Sequence, residues 1–156
     1  MKKSLMAPVA LGALALAMGG CATPPAATTA APSASASASA SVTPSDFKAC
    51  MVSDAGGFDD KSFNETAYAG LTKAVTELGV QKNEVQSAVA ADYAKNVQAM
   101  VDAKCNIIVT VGFNLGDATL AAAKKNPDID FAIVDVAYSD DKGNNTAPKN
   151  LKGLVF

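Results

Sequence analysis

From Phe47 onward the sequence alternates short apolar runs of strand length with longer runs whose apolar residues recur every three or four positions. That alternation leaves few folds open, because strands and helices at βαβ spacing form a parallel sheet with right-handed crossovers. The clearest strand is Cys105 to Val111, centred on Ile107-Ile108-Val109. Ala49 to Ser53 is a first run, Val85 to Ala90 a weaker second, Asp130 to Val136 a fourth and Leu151 to Phe156 a fifth. Phe63, Ala67, Leu71, Ala74, Val75 and Leu78 share one helical face, and Gly79 stands where a C-cap glycine belongs. Asp92 is placed to cap a helix carrying Tyr93, Val97, Met100 and Val101, and Asp117 to cap a short Ala-rich helix ended by Asn126-Pro127. The expected fold class is α/β, a doubly wound parallel sheet.

The first third reads differently. Lys2 and Lys3 precede an apolar stretch, Leu5 to Met18, that is short for a membrane span and suits a secretory signal. It ends in Met18-Gly19-Gly20-Cys21, which resembles a bacterial lipoprotein signal, with Met18 in place of the usual Leu and Cys21 as the lipidated residue. Ala22 to Ser45 is low-complexity Ala, Ser, Thr and Pro, too poor in large apolar groups to form a core, and is expected to be a disordered tether. The expected organisation is a signal over 1–21, a tether over 22–45 and one α/β domain over 46–156.

In open α/β sheets, ligands bind beyond the carboxyl ends of the strands, where the strand order reverses. Three unusual segments fall at such ends: Asp54 to Asn64 after the first strand, Gly112 to Gly116 after the third, and Asp135 at the end of the fourth. Aromatic faces there can stack on a base or sugar, Asn offers a donor and an acceptor, and ionised Asp accepts from N–H and hydroxyl groups. Each residue also has a plainer role open to it. Asp54 and Asp60 can be turn formers or caps, Phe63 a core residue of its helix with Asn64 solvated beside it, and Phe113 a packing residue. Asp135, ending an apolar strand at the binding edge, is harder to explain structurally.

The chain has no His and its thirteen basic residues are all Lys, so the commonest acid/base group and the best phosphate fork are both missing. A net charge of -2 gives no footprint for nucleic acid. A cluster of carboxylates without Arg favours a neutral ligand over an anion.

The motif Asp54-x-Gly-x-x-Asp59-Asp60-x-Ser62-Phe63-Asn64 resembles the amino-terminal signature of the basic membrane lipoprotein family, solute-binding proteins that feed nucleoside ABC importers. The resemblance runs from about Phe47 to the end. It implies one lobe, the amino-terminal one, of a type I periplasmic-binding-protein fold that closes with a second lobe on a purine nucleoside. It further implies partner permease subunits, a lipid anchor on the extracytoplasmic face of the cell membrane, no cofactor and no catalysis. By the same resemblance Phe63 stacks on the base, Asn64 and Asp135 hydrogen-bond the ligand, Asp54 is a further pocket acid and Phe113 is a wall. Gly57, Asp59, Asp60 and Ser62 shape the loop. The family's second lobe is missing from this sequence, which reads as a fragment or a truncated gene. With strand order 2-1-3-4 the first and third strands are neighbours, so Cys50 and Cys105 can pair in an oxidising exterior. Three other readings stay open: a sugar or polyol ligand on the same fold, a Mg²⁺-binding domain built on Asp59, Asp60 and Asp135, and a surface protein that only anchors or contacts partners, with the loop structural.

Overall fold

The computed structural model describes residues 42–156, so the expected signal with Cys21, and all of the tether but its last four residues, lie outside the described residues. In chain order the elements are β1 (Lys48–Ser53), α1 (Phe63–Leu78), β2 (Gln81–Gln86), α2 (Tyr93–Asp102), β3 (Ile107–Val111), α3 (Gly116–Lys125), β4 (Asp130–Val134) and β5 (Leu151–Leu154). Short 3₁₀ turns at Ala90–Asp92 and Phe113–Leu115 lead into α2 and α3. The strands form one parallel sheet in the order β2-β1-β3-β4-β5. The order therefore reverses between β1 and β3, the place where such sheets bind ligands.

Successive strand residues point to opposite faces, and the core divides accordingly. Cys50, Val52, Ile108, Phe131 and Ile133 pack with Tyr93, Val97 and Met100 of α2 and with Ala122 and Ala123 of α3. Ala49, Met51, Val111 and Val134 pack on the other face with Phe58 and Leu71, beneath α1. A strand covered on both faces must be apolar throughout, which is why β1, β3 and β4 stand out in the sequence.

The second strand lies four residues earlier than Val85 to Ala90. β2 is the edge strand, mostly half-buried or exposed, so its sequence, QKNEVQ, carries little apolar signal. β1 begins one residue before its run, at Lys48, whereas three strands are shorter than theirs: β3 begins at Ile107, β4 ends at Val134 and β5 ends at Leu154.

Helix α1 has the expected bounds, ended by Gly79 in the left-handed region (φ 68°) with its N–H donating to the Val75 carbonyl. Its buried face differs. Asn64 and Leu71 are buried, whereas Phe63 and Leu78, at the two ends of the expected stripe, are 50% and 64% exposed. The aromatic that does enter the core is Phe58, stacked on Tyr68 with ring centroids 4.6 Å apart. Neither expected acidic cap forms. Asp92 turns back to accept from the Ala88 and Val89 N–H groups and pairs with Lys95, while Asp117 lies inside the first turn of α3.

Cys50 and Cys105 form a disulfide, their Cα atoms 5.9 Å apart, within the core on the α2 and α3 face. The bridge spans a sequence separation of 55 residues. Closing a loop of that size removes enough unfolded-state entropy for the bond to be worth about 4 kcal/mol at most, and 2–4 kcal/mol typically. Urea unfolding of the oxidised and dithiothreitol-reduced chain is expected to differ by about that amount; coincident curves would contradict it.

Candidate functional site

Ser53, Val111, Val134 and Leu154 lie side by side across the sheet, the last paired residues of four strands. The residues that follow are held by the same ladder: Asp54 N–H donates to the Val111 carbonyl, Gly112 N–H to Val134 and Asp135 N–H to Leu154. Asp54, Gly112 and Asp135 thus form a row along the carboxyl edge. At the usual interstrand spacing, Asp54 and Asp135 are two strands, or about 10 Å, apart.

The Asp54 carboxylate sits at the reversal point. Its Oδ1 accepts from the Gly56 N–H at 3.1 Å and from the Asn64 amide at 2.9 Å, and Oδ2 accepts no hydrogen bond among the described residues. Gly112 faces this carboxylate so closely that a Cβ added there would collide with the Asp54 Oδ2 atom, and its φ of 105° is one that side chains rarely adopt. Glycine is therefore required at that place, and it lets the loop after β3 close against the loop after β1.

Asp60 anchors the start of α1. Its Oδ1 accepts from the N–H groups of Ser62 and Glu65, at 2.8 and 3.1 Å, and its Oδ2 from the backbone N–H and side-chain amide of Asn64, at 3.3 and 3.0 Å. The carboxylate thus does the work of a cap from outside the helix, since Ser62, at the N-cap position, makes no side-chain cap bond. Burial pushes the Asp60 carboxyl up, but the N–H groups of Glu65, Ser62 and Asn64 and the Asn64 amide outweigh it and hold it below the usual carboxylate range.

Phe63, the first residue of α1, is half exposed, with its ring stacked on Phe156 at 6.1 Å between centroids. Phe113, next to Gly112, is 65% exposed. The plainer role of Phe63 as a core residue is thereby set aside. Asp59 is exposed, and Gly57 is buried with a φ of 72° against the Gln86 side chain. Asp135 is exposed and holds a φ of 69° without being glycine; such backbone outliers cluster at ligand sites. Asn64 is the surprise. It is only 3% exposed, both of its amide N–H groups face carboxylates, and its Oδ1 is buried without a partner. An Asn at a helix start carries no sequence signal for such burial.

The structure thus joins Asp54, Asp60, Asn64 and Gly112 by direct contact, sets Phe63 at the start of α1 and Phe113 in the turn before α3, and puts Asp135 two strands away. Among the described residues no group of three or more His, Cys, Asp or Glu is placed to hold a metal ion. Asp60, which the Mg²⁺ reading needs, is occupied by N–H donors.

Comparison with known proteins is consistent with this geometry. A family model described as ABC transporter substrate-binding protein PnrA-like matches residues 47–156. The ABC transporter nucleoside-binding protein BmpA of Lactococcus lactis subsp. cremoris is 39% identical over 106 residues, covering 65% of this chain and 30% of that protein. Basic membrane protein A of Borreliella burgdorferi is 35% identical over 109 residues, covering 70% and 30%. The chain thus spans about 30% of the length of these relatives. Among solved structures, an ABC transporter solute-binding protein of Aeropyrum pernix K1 superposes with a TM-score of 0.60 at 24% identity, over 70% of this chain and 28% of that one. A solute-binding protein of Conexibacter woesei gives 0.58 at 18% identity, over 70% and 35%. The fold is that of the periplasmic binding proteins.

Two measurements test the site as built. Gly112→Ala is expected to cost about 1–3 kcal/mol of unfolding free energy, through the strained φ and the collision with Asp54; a neutral substitution would contradict the contact. Asp60 has a folded-state value below its ordinary 3.8, so its stabilising effect is complete above that value and lost as pH falls through the folded one. Asp60→Asn should therefore flatten the acid limb of the stability profile below about pH 4. A limb as steep as the parent's would show that the N–H cluster does not hold the carboxylate.

Proposed function

The chain belongs to the PnrA-like family of ABC transporter substrate-binding proteins, and we propose that its carboxyl-edge site is one half of a cleft that captures a purine nucleoside for import. The observation that carries this reading is the half-exposed Phe63 ring at the start of α1, next in the chain to Asn64, whose amide holds the Asp54 carboxylate by one oxygen. A purine stacks on such a ring with about 1–3 kcal/mol. Asp54 Oδ2 and the Asp135 carboxylate accept from base N–H or ribose hydroxyl groups, and Phe113 walls the side.

Acceptors outnumber cations at this edge, which favours a nucleoside over its phosphorylated form. The relative from L. lactis is named as a nucleoside-binding protein of an ABC transporter, which supports the same ligand class. On this reading the protein binds and releases but performs no catalysis. Residues 46–156 act as the amino-terminal of two lobes, and the partners are permease subunits. Cys21 carries a lipid that holds the domain at the extracytoplasmic face of the membrane, with residues 22–45 as tether. Among the described residues no helix is long and apolar enough to cross a membrane. A single lobe contacts only one side of the ligand, so it binds weakly until a second closes over it.

The test is equilibrium titration of the chain with inosine, ribose and inosine monophosphate, repeated with Phe63→Ala. Inosine is expected to bind, with ribose and the monophosphate at least tenfold weaker. Phe63→Ala should weaken inosine about tenfold, the equivalent of one stacking contact. Because the ring is half exposed, unfolding should change by about 1 kcal/mol or less. Ribose binding as well as inosine would turn the reading to a sugar ligand. Inosine affinity unchanged in Phe63→Ala would remove the stacking role.

A further inference from the structure

The connection from β4 to β5, residues 135–150, contains no helix, although parallel neighbours need a crossover that returns along the sheet. Side chains fasten it to α3 at both of its ends instead. Where the connection enters β5, Asn150 Nδ2 donates among the carbonyls of Ala123, Asn126 and Ile129, at 3.0, 3.0 and 2.9 Å, around the end of α3. Where it leaves β4, at the ligand edge, the Tyr138 hydroxyl donates to the carbonyl of Gly116, the first residue of α3, at 2.8 Å. Burial, with the Asp117 carboxylate nearby, pushes the Tyr138 phenol up to about 12, so the hydroxyl keeps its proton and remains a donor.

Asp135 lies within the fastened part. Its N–H donates to the Leu154 carbonyl at 2.8 Å. The next residue, Val136, runs directly against β5, where a Cβ added to Gly153 would collide with the Val136 carbonyl oxygen. The Val136 and Tyr138 side chains then pack on the core of the α2 and α3 face. Beyond Tyr138 the chain turns out into an exposed hairpin, closed by the Thr146 N–H on the Tyr138 carbonyl at 2.9 Å and by the bridge between Ser139 and Asn145. Tyr138 is thus the point at which this excursion is tied to the domain, three residues from Asp135. The left-handed φ of Asp135, 69°, is one that a residue other than glycine keeps only where its surroundings impose it.

We propose that Tyr138 is a positioning residue: its hydroxyl, anchored on Gly116 at the start of α3, holds the chain after β4 so that Asp135 keeps its left-handed backbone and its carboxylate keeps its place at the ligand edge. The same bond ties the loop after β4 to the turn that carries Phe113, since Gly116 follows that turn directly. The part of Tyr138 in binding rests on the nucleoside reading, whereas the anchor exists without ligand. Phenylalanine would keep the packed ring and remove only the donor, so Tyr138→Phe isolates the hydroxyl.

The test compares the isotope-labelled full-length chain with Tyr138→Phe, Asp135→Ala and the double variant by NMR, first without ligand. In the parent, Asp135 is expected to show the strong nuclear Overhauser effect between amide proton and Hα that a positive φ produces. In Tyr138→Phe that effect should weaken, and the Asp135 amide should exchange with solvent about tenfold faster, while Ile108 in the core keeps the parent's rate. With inosine, Tyr138→Phe should bind about fivefold more weakly than the parent, the equivalent of one hydrogen bond. In the Asp135→Ala background the same substitution should cost nothing further, because the hydroxyl acts through Asp135. An unmoved Asp135 amide, exchange hastened equally at Asp135 and Ile108, or the same loss of affinity in both backgrounds would each overturn the proposal; the last two are what a merely structural tyrosine would give. If the parent chain binds no inosine, the nucleoside reading fails, while the ligand-free measurements still decide whether Tyr138 holds Asp135.

Discussion

The contact on which the rest depends is that between the Asp54 carboxylate and Gly112, where β1 and β3 end side by side. An ionised carboxylate at the end of a buried strand is costly unless its oxygens find donors. Here one oxygen is satisfied from within the loop, by Gly56 and Asn64. The other accepts no hydrogen bond among the described residues and lies against Gly112. The missing side chain of Gly112 makes room for this arrangement, and the order of the strands brings the two loops together. Parallel sheets generally offer such a crevice; this sequence furnishes it with acceptors and aromatic rings.

The pairing of β1 and β3 is secured away from that edge as well. Cys50 and Cys105 join across it on one face, and Lys48 donates its backbone N–H to Asn106 Oδ1 and its ammonium to the Ala103 carbonyl. The sheet can therefore serve as a rigid base. The groups proposed to meet ligand are carried by its loops and by the first turn of α1, where small changes in side chain alter recognition without altering the fold.

Much of this was legible in the sequence because burial imposes a pattern. Strands covered on both faces must be apolar, so β1, β3 and β4 were visible, and α1 was bounded by its periodicity and Gly79. β2 was displaced because an edge strand is freed from that demand. The two phenylalanines of the first loop were harder. Phe63 fits the helical stripe and Phe58 does not, yet Phe58 is the one buried, because the loop turns it back onto Tyr68 while the first helical turn projects Phe63 outward. The acids Asp92 and Asp117 resembled caps, but a carboxylate goes to whichever N–H groups the chain presents, and those of the preceding loop reached Asp92 first. The position of the candidate site follows from topology. The burial of Asn64 did not, since it depends on two carboxylates, ten and four residues away, meeting one amide.

The most direct test of the nucleoside half-site is a map of backbone amide shifts in the labelled chain as inosine is added. Shifts are expected to be confined to residues 54–64, 112–115 and the vicinity of Asp135, with α2 and the amino-terminal ends of the strands unmoved. Shifts centred on α2 and α3, or none at ligand concentrations well into the millimolar range, would contradict the claim that this carboxyl edge is where the family's ligand is held.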